Sequence, residues 1–477
     1  MISDLKPYPA MKDSGAEWLG EVPEHWEVRQ LGRIGAFSKG NGGTKADEVA
    51  EGVPCVRYGD LYTRHRFFIE NTKACVSPDR VADYTPIQYG DILLAGSGET
   101  IEEIGKSAVS LLTESACCGG DVVIFRPAIE VDAKFLGLAT DCPQAAYQKS
   151  CMGRGITVMH IYGDELKYLF VTLPPLSEQA GIVRYLDHVD RRVRRLTRAK
   201  RKLIALLTEQ KQAIIHRAVT RGLDPDVPLK DSGVEWLGEV PEHWEVRRLK
   251  QLTRFVNGLA FKPSDWAAEG VPIIRIQNLN GSNEFNYTTR EDLPNSLLIQ
   301  PGELLFAWSG NRGTSFGSFI WDRDFPGYLN QHIFKLTGYS LDRVYFSHML
   351  RAVTRHVEDE KTHGIIGLVH VTKPELGRVL VPVAPIKEQI AIVEYLDQAT
   401  ADLDTTISRA EREIELLNEY RTRLIADVVT GKVDVREAAA ALPEVDPLAE
   451  DDDADDLDAD LTLDADELYE APEEVEA

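Results

Sequence analysis

An internal repeat is the feature that most constrains the fold of this 477-residue chain. Residues 13–29 read DSGAEWLGEVPEHWEVR and residues 231–247 read DSGVEWLGEVPEHWEVR, so sixteen of seventeen positions are identical. A later pair, EQAGIVRYLD at 178–187 and EQIAIVEYLD at 388–397, matches at seven of ten positions. Such self-similarity indicates repeated structural units. The chain is therefore predicted to contain two copies of one unit, and the shared segments are called the frame below.

The stretches between the frame segments hardly match and differ in length, because the separation of equivalent residues falls from 218 to 210. They contain short apolar runs bounded by glycine and turn residues, which predict strands. These runs are VPCVRY (53–58), GDILLAG (90–96) and DVVIFRP (121–127) in the first copy, and VPIIRI (271–276), GELLFAW (302–308) and GSFIWD (317–322) in the second. A constant frame around two dissimilar modules favours two different recognition surfaces. The alternative is a duplicated scaffold whose modules have drifted.

Each copy ends in a predicted long helix with apolar residues at spacings of three and four. Residues 184–221 carry twelve Lys/Arg and three Asp/Glu, whereas residues 388–430 carry four Arg and ten Asp/Glu. Opposite charge on helices of matched length favours an antiparallel, coiled-coil-like pair, since two like units usually associate about a two-fold axis. The alternative for the basic helix is a solvated or DNA-facing stripe. The pair would form a rod of roughly 65 Å with a module at each end.

The net charge of −24 argues at first against a nucleic-acid binder, but it is unevenly distributed. Residues 444–477 hold 17 acidic residues and no Lys or Arg, and without them the chain carries −7. This composition predicts a disordered tail. The tail could repel DNA, occupy the basic helix in competition with phosphate, or aid solubility, and we favour solubility.

Other functional classes are disfavoured. No apolar run approaches the length of a membrane span, and the six cysteines form no C-x-x-C pair, which favours a reduced cytoplasmic protein without a metal site. The segment GETIEEIGKS (98–107) has Thr100 where a phosphate-binding loop needs its first glycine. His160 and His370 occupy equivalent repeat positions, and we interpret both as structural. We expect a chain that is not an enzyme and binds no cofactor.

The predicted fold class is α+β, with two mixed α/β recognition modules separated by two long antiparallel helices and related by a pseudo-two-fold repeat. The chain is predicted to divide into five parts. They are a first module (1–173), a first spacer helix (174–222), a second module (223–383), a second spacer helix (384–435) and an acidic, disordered tail (436–477).

Three sequence features resemble the specificity subunit of type I restriction–modification systems. They are the frame DSGVEWLGEVPEHWEV, the helix start PP/AP-x-x-EQ-x-x-IV-x-YLD and the segment WSGNRGTSFGSFIWDRDFPGYLNQHIFKL (308–336). The resemblance covers about residues 11–435 and is specific, because the frame occurs twice around a variable module.

The resemblance implies a non-catalytic adaptor with two target-recognition domains that read a bipartite, asymmetric DNA target. It implies docking to two methyltransferase subunits and then to two restriction subunits. The complex would be a site-specific deoxyribonuclease and adenine-specific DNA methyltransferase, which uses S-adenosylmethionine on the methyltransferase subunits and ATP with Mg²⁺ on the restriction subunits. The alternative is an orphan sequence-specific DNA-binding protein or regulator without catalytic partners. A purely structural helical scaffold is disfavoured by the two dissimilar modules.

Candidate DNA-binding residues are polar residues that follow apolar strands or lie in glycine-rich loops, where they could reach base edges or phosphates. In the first module they are Arg57, Tyr58, Asp60, Ser97, Glu99, Thr100, Lys149 and Arg154. In the second module they are Arg275, Gln277, Asn278, Trp308, Ser309, Asn311, Arg312, Thr314, Lys361 and His363. The alternative for each is a solvated loop residue or a turn former.

The frame positions of the two helices are candidates for methyltransferase docking, with helix capping and core packing as the alternative. They are Glu178, Gln179, Tyr185, Glu388, Gln389 and Tyr395.

Overall fold

The computed structural model describes residues 5–443, apart from 44, 156–157 and 362–366. The described residues divide into two compact units: unit 1 comprises 5–200 and 412–443, and unit 2 comprises 201–411. Each unit holds one module, the first part of the long helix that follows it, and the last part of the other long helix.

Unit 1 is built from short strands with few helices before the first long helix. Its strands are β1 (Met11–Asp13), β2 (Glu21–Pro23), β3 (Glu27–Gln30), β4 (Gly35–Lys39), β5 (Glu48–Val49), β6 (Val53–Val56), β7 (Phe67–Ile69), β8 (Ala74–Val76), β9 (Thr85–Ile87), β10 (Ile92–Ala95), β11 (Ser97–Gly98), β12 (Ser107–Ser110), β13 (Ala116–Cys118), β14 (Val122–Pro127), β15 (Met159–His160) and β16 (Phe170–Leu173). Its helices are α1 (Tyr58–Thr63), α2 (Ala133–Asp141), α3 (Pro143–Met152), α4 (Gly163–Leu166) and the start of α5 (Leu176–Arg221). Short 3₁₀ turns cover Leu31–Arg33, Lys45–Asp47 and Val81–Asp83.

Two five-stranded sheets form the first module, in the orders β4-β14-β10-β12-β7 and β5-β8-β6-β13-β9. Strand β10 reads ILLA and is buried throughout, which is why it can lie at the centre of its sheet between β14 and β12. Strands β16 and β3 pair antiparallel, so the residues just before α5 are joined to the frame. The main core gathers around Trp26, Phe125 and Phe135, all fully buried.

Unit 2 repeats this plan with shorter sheets. Its strands are β17 (Leu229–Asp231), β18 (Glu239–Pro241), β19 (Glu245–Arg248), β20 (Arg254–Asn257), β21 (Val271–Ile274), β22 (Asn286–Thr288), β23 (Leu298–Ile299), β24 (Leu304–Ala307), β25 (Ser309–Asn311), β26 (Gly317–Ile320), β27 (Gly327–Leu329), β28 (Ile333–Thr337), β29 (Leu368–His370) and β30 (Leu380–Val383). Its helices are α6 (Leu249–Leu252), α7 (Ile276–Leu279), α8 (Arg343–Lys361), α9 (Lys373–Arg378) and α10 (Ile386–Val429), which ends in unit 1. The 3₁₀ turns are Pro263–Asp265 and Asn295–Leu297.

The sheet orders of unit 2 are β20-β28-β24-β26 and β22-β21-β27-β23. They match unit 1 strand for strand, except that β5 and β7 of unit 1 have no described counterpart. The two modules differ in their helices, because the 19-residue α8 stands where unit 1 has the shorter α2 and α3. The sequence prediction of a mixed α/β fold with a repeated frame is confirmed, and each of the six quoted apolar runs contains a strand.

The two long helices run antiparallel in unit 1, and they form an ion pair in unit 2. In unit 1, Asp190 of α5 forms an ion pair with Arg421 of α10, and Lys200 forms one with Glu413. In unit 2, Lys211 of α5 pairs with an α10 aspartate, Asp404. From the first of the unit 1 pairs to the second, the residue number rises along α5 from 190 to 200 and falls along α10 from 421 to 413. The two helices must therefore run in opposite directions. The predicted charge complementarity is thus seen as individual ion pairs, whereas a continuous coiled-coil seam remains a prediction.

Unit 1 also contains the last described segment of the chain. Helix α10 is followed by Gly431, whose φ of +75° is readily adopted by glycine, and the chain then pairs Asp434 with Lys6 in a β-bridge. Helix α11 (Arg436–Ala440) follows, and its Ala439 is buried. The prediction that the tail begins at 436 is therefore wrong, because small alanine side chains allow this segment to pack in the core. The predicted disorder of 444–477 lies outside the described residues.

Within the described ranges, no helix is long and apolar enough to cross a membrane. Over the same ranges, no cluster of three or more His, Cys, Asp or Glu side chains could hold a metal ion.

Candidate nucleic-acid interface

A small two-stranded sheet occupies the same place in both modules and carries several candidate residues. In unit 1, β11 pairs with β15, which places Ser97 opposite His160 with 3.0 Å between Ser97 Oγ and His160 Nδ1. In unit 2, β25 pairs with β29, which places Ser309 opposite His370 and Asn311 opposite Leu368. The two histidines therefore belong to the pairing that closes each module.

Unit 1 has a cleft of about 600 Å³ beside this sheet. Its lining includes Lys39, Ser97, His160 and Tyr162. Tyr162 is 54% exposed, and its ring stacks almost parallel on His160 with 6.2 Å between the centroids. Sequence reasoning missed Tyr162, and its position two residues after a histidine shared by both copies was the only signal. An exposed aromatic face beside a lysine is suited to stacking and phosphate contact.

The loop residues near this sheet are the most accessible candidates of unit 1. Glu99 and Thr100 are exposed just beyond β11. The Arg154 side chain is 79% exposed, and its guanidinium lies 3.5 Å from Glu165. An exposed pair of this kind contributes little to stability, so Arg154 can exchange its partner for a phosphate at small cost.

The candidates near α1 and α7 serve mainly to form the same turn in both modules. Asp60 Oδ2 accepts the backbone N–H of Arg57 at 2.9 Å, and Asn278 Oδ1 accepts that of Arg275 at 2.9 Å. Asn278 is buried, and its Nδ2 also donates to the carbonyl of Glu284 at 2.8 Å. The structure therefore gives Asp60 and Asn278 a capping role rather than access to a ligand.

The other polar candidates of these turns keep some exposure. Tyr58 is 45% exposed, whereas Gln277 is half-buried. The half-buried Arg57 lies 3.7 Å from the carboxylate of Glu48, and Arg275 donates through Nη1 to Asn286 Oδ1 at 3.1 Å. The shared arginines are thus held by neighbours within their own modules.

Lys149 cannot contact DNA in this structure, which corrects the prediction. The residue is 1% exposed, and its ammonium donates to the carbonyl oxygens of Gly105 at 2.7 Å and Thr140 at 3.0 Å. It also lies 2.9 Å from Asp141 Oδ1, which supplies the opposite charge. Because a buried ammonium is tolerated only when paired and hydrogen-bonded, Lys149 is a core residue that ties α3 to the neighbouring loop and α2. Its charge had suggested a surface position.

In unit 2, Trp308 is half-buried and packs against other rings. Its centroid lies 5.7 Å from that of Phe334 in a stacked arrangement and 5.0 Å from that of His332. Burial lowers the pKa of His332, which favours a neutral imidazole beside the indole. Trp308 therefore anchors the start of β25 and positions the exposed residues that follow it.

Three candidates after Trp308 are exposed: Arg312, Thr314 and Lys361. Arg312 forms an ion pair with Asp359, and Lys361 Nζ lies 2.7 Å from Glu375 Oε1. Hydrogen bonds from Lys361 and Thr372 lower the pKa of Glu375 to about 2. These cations are held in place from within the module. His363 lies outside the described residues.

The frame glutamates accept hydrogen bonds from the frame aromatic residues in both copies. Glu178 accepts the Tyr8 hydroxyl at 2.6 Å, lies 2.8 Å from His25 Nε2, and accepts the Trp26 indole N–H at 3.1 Å. Glu388 repeats two of these contacts, with His243 and Trp244 at 2.8 and 2.9 Å. Each glutamate therefore joins the first turn of a long helix to the Trp-containing segment.

The frame glutamines make a second repeated connection. Gln179 accepts the backbone N–H of Asp132 at 2.8 Å and donates to the carbonyl of Pro174 at 2.7 Å. Gln389 makes the equivalent bonds in unit 2. These contacts support the capping and packing interpretation of the glutamates and glutamines. Of the two tyrosine candidates, Tyr185 is 9% exposed and Tyr395 is 46% exposed, so Tyr395 is the more accessible to a partner.

A family model described as "Type I restriction modification DNA specificity domain" matches residues 23–206 and 241–416, which is about three quarters of the chain. The specificity subunit of the type I restriction enzyme MjaVIII from Methanocaldococcus jannaschii is 24% identical over 87% of this chain and 94% of its own length. The specificity subunit of EcoKI from Escherichia coli K12 is 22% identical over 87% of this chain and 90% of its own.

A solved structure described as a study of complex assembly and conformational transition of the type I R-M system has a similar fold. It superposes with a TM-score of 0.56 at 16% identity, and the match covers 86% of this chain and 98% of that one. At this identity the similarity concerns the fold alone.

Proposed function

The chain belongs to the family of type I restriction–modification specificity subunits, and we propose that it reads a bipartite, asymmetric DNA target through its two modules. As a specificity subunit it supplies recognition, and the chemistry belongs to the complex. The observation that carries the proposal is the frame, which is repeated almost unchanged around two modules with different helices and loops. The family match to both copies supports it.

Each module would read its half of the target through the loops beside its small two-stranded sheet. In the first module, the exposed Glu99, Thr100 and Arg154 are suited to this, together with Tyr162. In the second, Arg312, Thr314 and Lys361 are suited. Arginine and lysine contact phosphates or guanine edges, while hydroxyl and carboxylate groups select bases in the major groove. Because these two sets differ in charge and shape, the two halves of the target should differ.

The long helices would set the distance between the two half-sites. Helix α5 has 46 residues, which at a rise of about 1.5 Å per residue gives about 69 Å. A spacer of this length allows half-sites whose centres are separated by up to roughly 20 base pairs at 3.4 Å per pair. The antiparallel ion pairs in unit 1 and the ion pair between α5 and α10 in unit 2 support this role.

The partners would be double-stranded DNA, two methyltransferase subunits and, in the full complex, two restriction subunits, all in the cytoplasm. S-adenosylmethionine would be held by the methyltransferase subunits and ATP with Mg²⁺ by the restriction subunits. Each methyltransferase would reach one adenine on each strand, with the base turned out of the duplex. The accessible Tyr395 makes the start of α10 a docking candidate.

A module exchange tests the proposal. Residues 30–170 are replaced by the first module of another family member, and the chain is assembled with its methyltransferase subunits. Single-molecule sequencing of methylated adenines should show one half-site changed and the other unchanged. The matched control replaces residues 248–380 and should change only the other half. If one exchange altered both halves, or if the native assembly bound no duplex DNA, the proposal would be overturned.

A further inference from the structure

Unit 1 contains an apolar groove that lies apart from the candidate nucleic-acid interface. It lies between the first part of α5, the end of α10 and the N-terminal segment. Its apolar lining includes Tyr185, Val189, Leu196, Leu417 and Tyr420. Leu196 is 47% exposed although it lies on the face that lines the groove. Large apolar side chains that remain open to water along a concave surface favour an occupant.

The last described residues lie at the rim of this groove. Leu442 lines it, and Arg184 of α5 donates through Nη2 to the carbonyl oxygens of Leu442 at 2.8 Å and Pro443 at 2.6 Å. The chain is thereby fixed against α5 at the point where the acidic segment 444–477 begins. This segment is tethered beside the groove, which gives it an effective concentration in the millimolar range.

Charge and apolar content match the tail to the groove. The α5 stretch from 184 to 200 holds seven Lys or Arg and two Asp, and Arg192 with Arg436 lies in the groove lining. Residues 444–477 hold 17 acidic residues and no basic ones. Among the acids stand six large apolar residues: Leu448, Leu457, Leu461, Leu463, Leu468 and Tyr469.

We propose that residues 444–477 bind back onto unit 1, with leucine and tyrosine side chains in the groove and carboxylates along the basic face of α5. The distance along α5 from Tyr185 to Leu196 is about 17 Å at 1.5 Å per residue. The fifteen residues from Leu442 to Leu457 can span up to roughly 50 Å when extended, so the reach is ample. The segment would shield this basic face from other polyanions, a role beyond the recognition function proposed above and independent of it.

A cross-linking experiment on the intact chain tests the contact directly. Leu196 is replaced by the photoreactive residue p-benzoylphenylalanine, and the products are mapped by mass spectrometry. The matched control carries the same residue at Leu416, which is also 47% exposed on a long helix of unit 1 but does not line the groove. Position 196 should cross-link to peptides from 444–477 and position 416 should not. Equal cross-linking at both positions, or none from 196 to this segment, would overturn the proposal.

A peptide experiment separates groove binding from charge attraction alone. A synthetic peptide of residues 444–477 is titrated into the chain truncated after Pro443, whose unchanged fold is checked by circular dichroism. Leu196→Ser should weaken binding about tenfold, as expected for losing roughly half of a leucine's burial, whereas Leu416→Ser should leave it within twofold. The full-length chain should bind the peptide much more weakly, because its own segment competes. Equal affinity for the full-length and truncated chains, or equal effects of the two serine variants, would refute the proposal.

Discussion

The same substitution at the two frame glutamates should have unequal effects on stability. The Glu178 side chain is 7% exposed and has three partners, of which Tyr8 and Trp26 are themselves buried. The Glu388 side chain is 41% exposed, and of its two partners only Trp244 is buried. Water can replace Glu388 at its exposed side, whereas Glu178→Ala leaves two buried donors without an acceptor.

The expected magnitudes follow from the cost of an unsatisfied buried donor, about 1–3 kcal/mol. With two such donors, Glu178→Ala should lower the free energy of unfolding of unit 1 by about 4 kcal/mol, and Glu388→Ala should lower that of unit 2 by about 1.5 kcal/mol. Burial raises the pKa of Tyr8 and persists in Glu178→Ala, so the tyrosine hydroxyl stays protonated and remains a donor without its acceptor. Glu178→Gln keeps one acceptor oxygen and should fall between these values.

Hydrogen exchange read by mass spectrometry measures both effects in one chain, since peptides spanning 13–30 and 231–248 report separately on the two units. The local opening free energy should fall at 13–30 in the first variant and only slightly at 231–248 in the second. Equal losses in the two variants, or a loss below about 1 kcal/mol for Glu178→Ala, would refute the argument from burial.

Further outcomes follow from other contacts. Lys149→Met should destabilise unit 1 by about 3–5 kcal/mol in urea unfolding, because Asp141 loses its buried partner; an unchanged midpoint would contradict the core assignment. Lys361→Met should raise the Glu375 pKa from about 2 toward its usual 4.5 in a carboxyl NMR titration. The Lys361–Glu375 pair contributes its full stabilisation above the pKa of Glu375 in the unfolded chain, and this contribution is lost as the pH falls toward 2. The free energies of unfolding of the native chain and the variant should therefore differ at neutral pH and converge in strong acid. Arg154→Gln should weaken DNA binding by the assembled complex without changing its melting temperature. The slope of log K against log salt concentration should fall by about one. An unchanged slope would show that Arg154 does not contact DNA.

The sequence was sufficient to predict the frame and the strands because both depend on local pattern. The run GDILLAG forms the buried strand β10, and the EQ pairs mark the first turns of the two long helices. The sequence did not indicate which polar side chains are buried. Asn278 and Lys149 resemble surface residues in sequence, and only tertiary packing surrounds them with acceptors and donors. Helix α11 was missed because its alanines adjoin an acidic segment whose composition dominated the prediction.

Equivalent residues of the frame have different surroundings in the two units. A repeat in sequence therefore does not imply that both copies offer the same surface to a partner. Tyr185 and Tyr395 occupy the same repeat position, yet the first is 9% exposed and the second 46%. In unit 1, Leu442 and Tyr185 line the same groove, and Ala439 lies beside Gly181. Because the last described segment packs against α5 in unit 1, a partner that approaches the start of α5 must share that surface with this segment. A partner that approaches the start of α10 meets exposed Ile386, Ile390 and Tyr395. Tyr395→Ser should therefore weaken methyltransferase binding, measured by calorimetry, more than Tyr185→Ser does at equal fold stability, and the reverse order would show that the two copies offer the same docking surface.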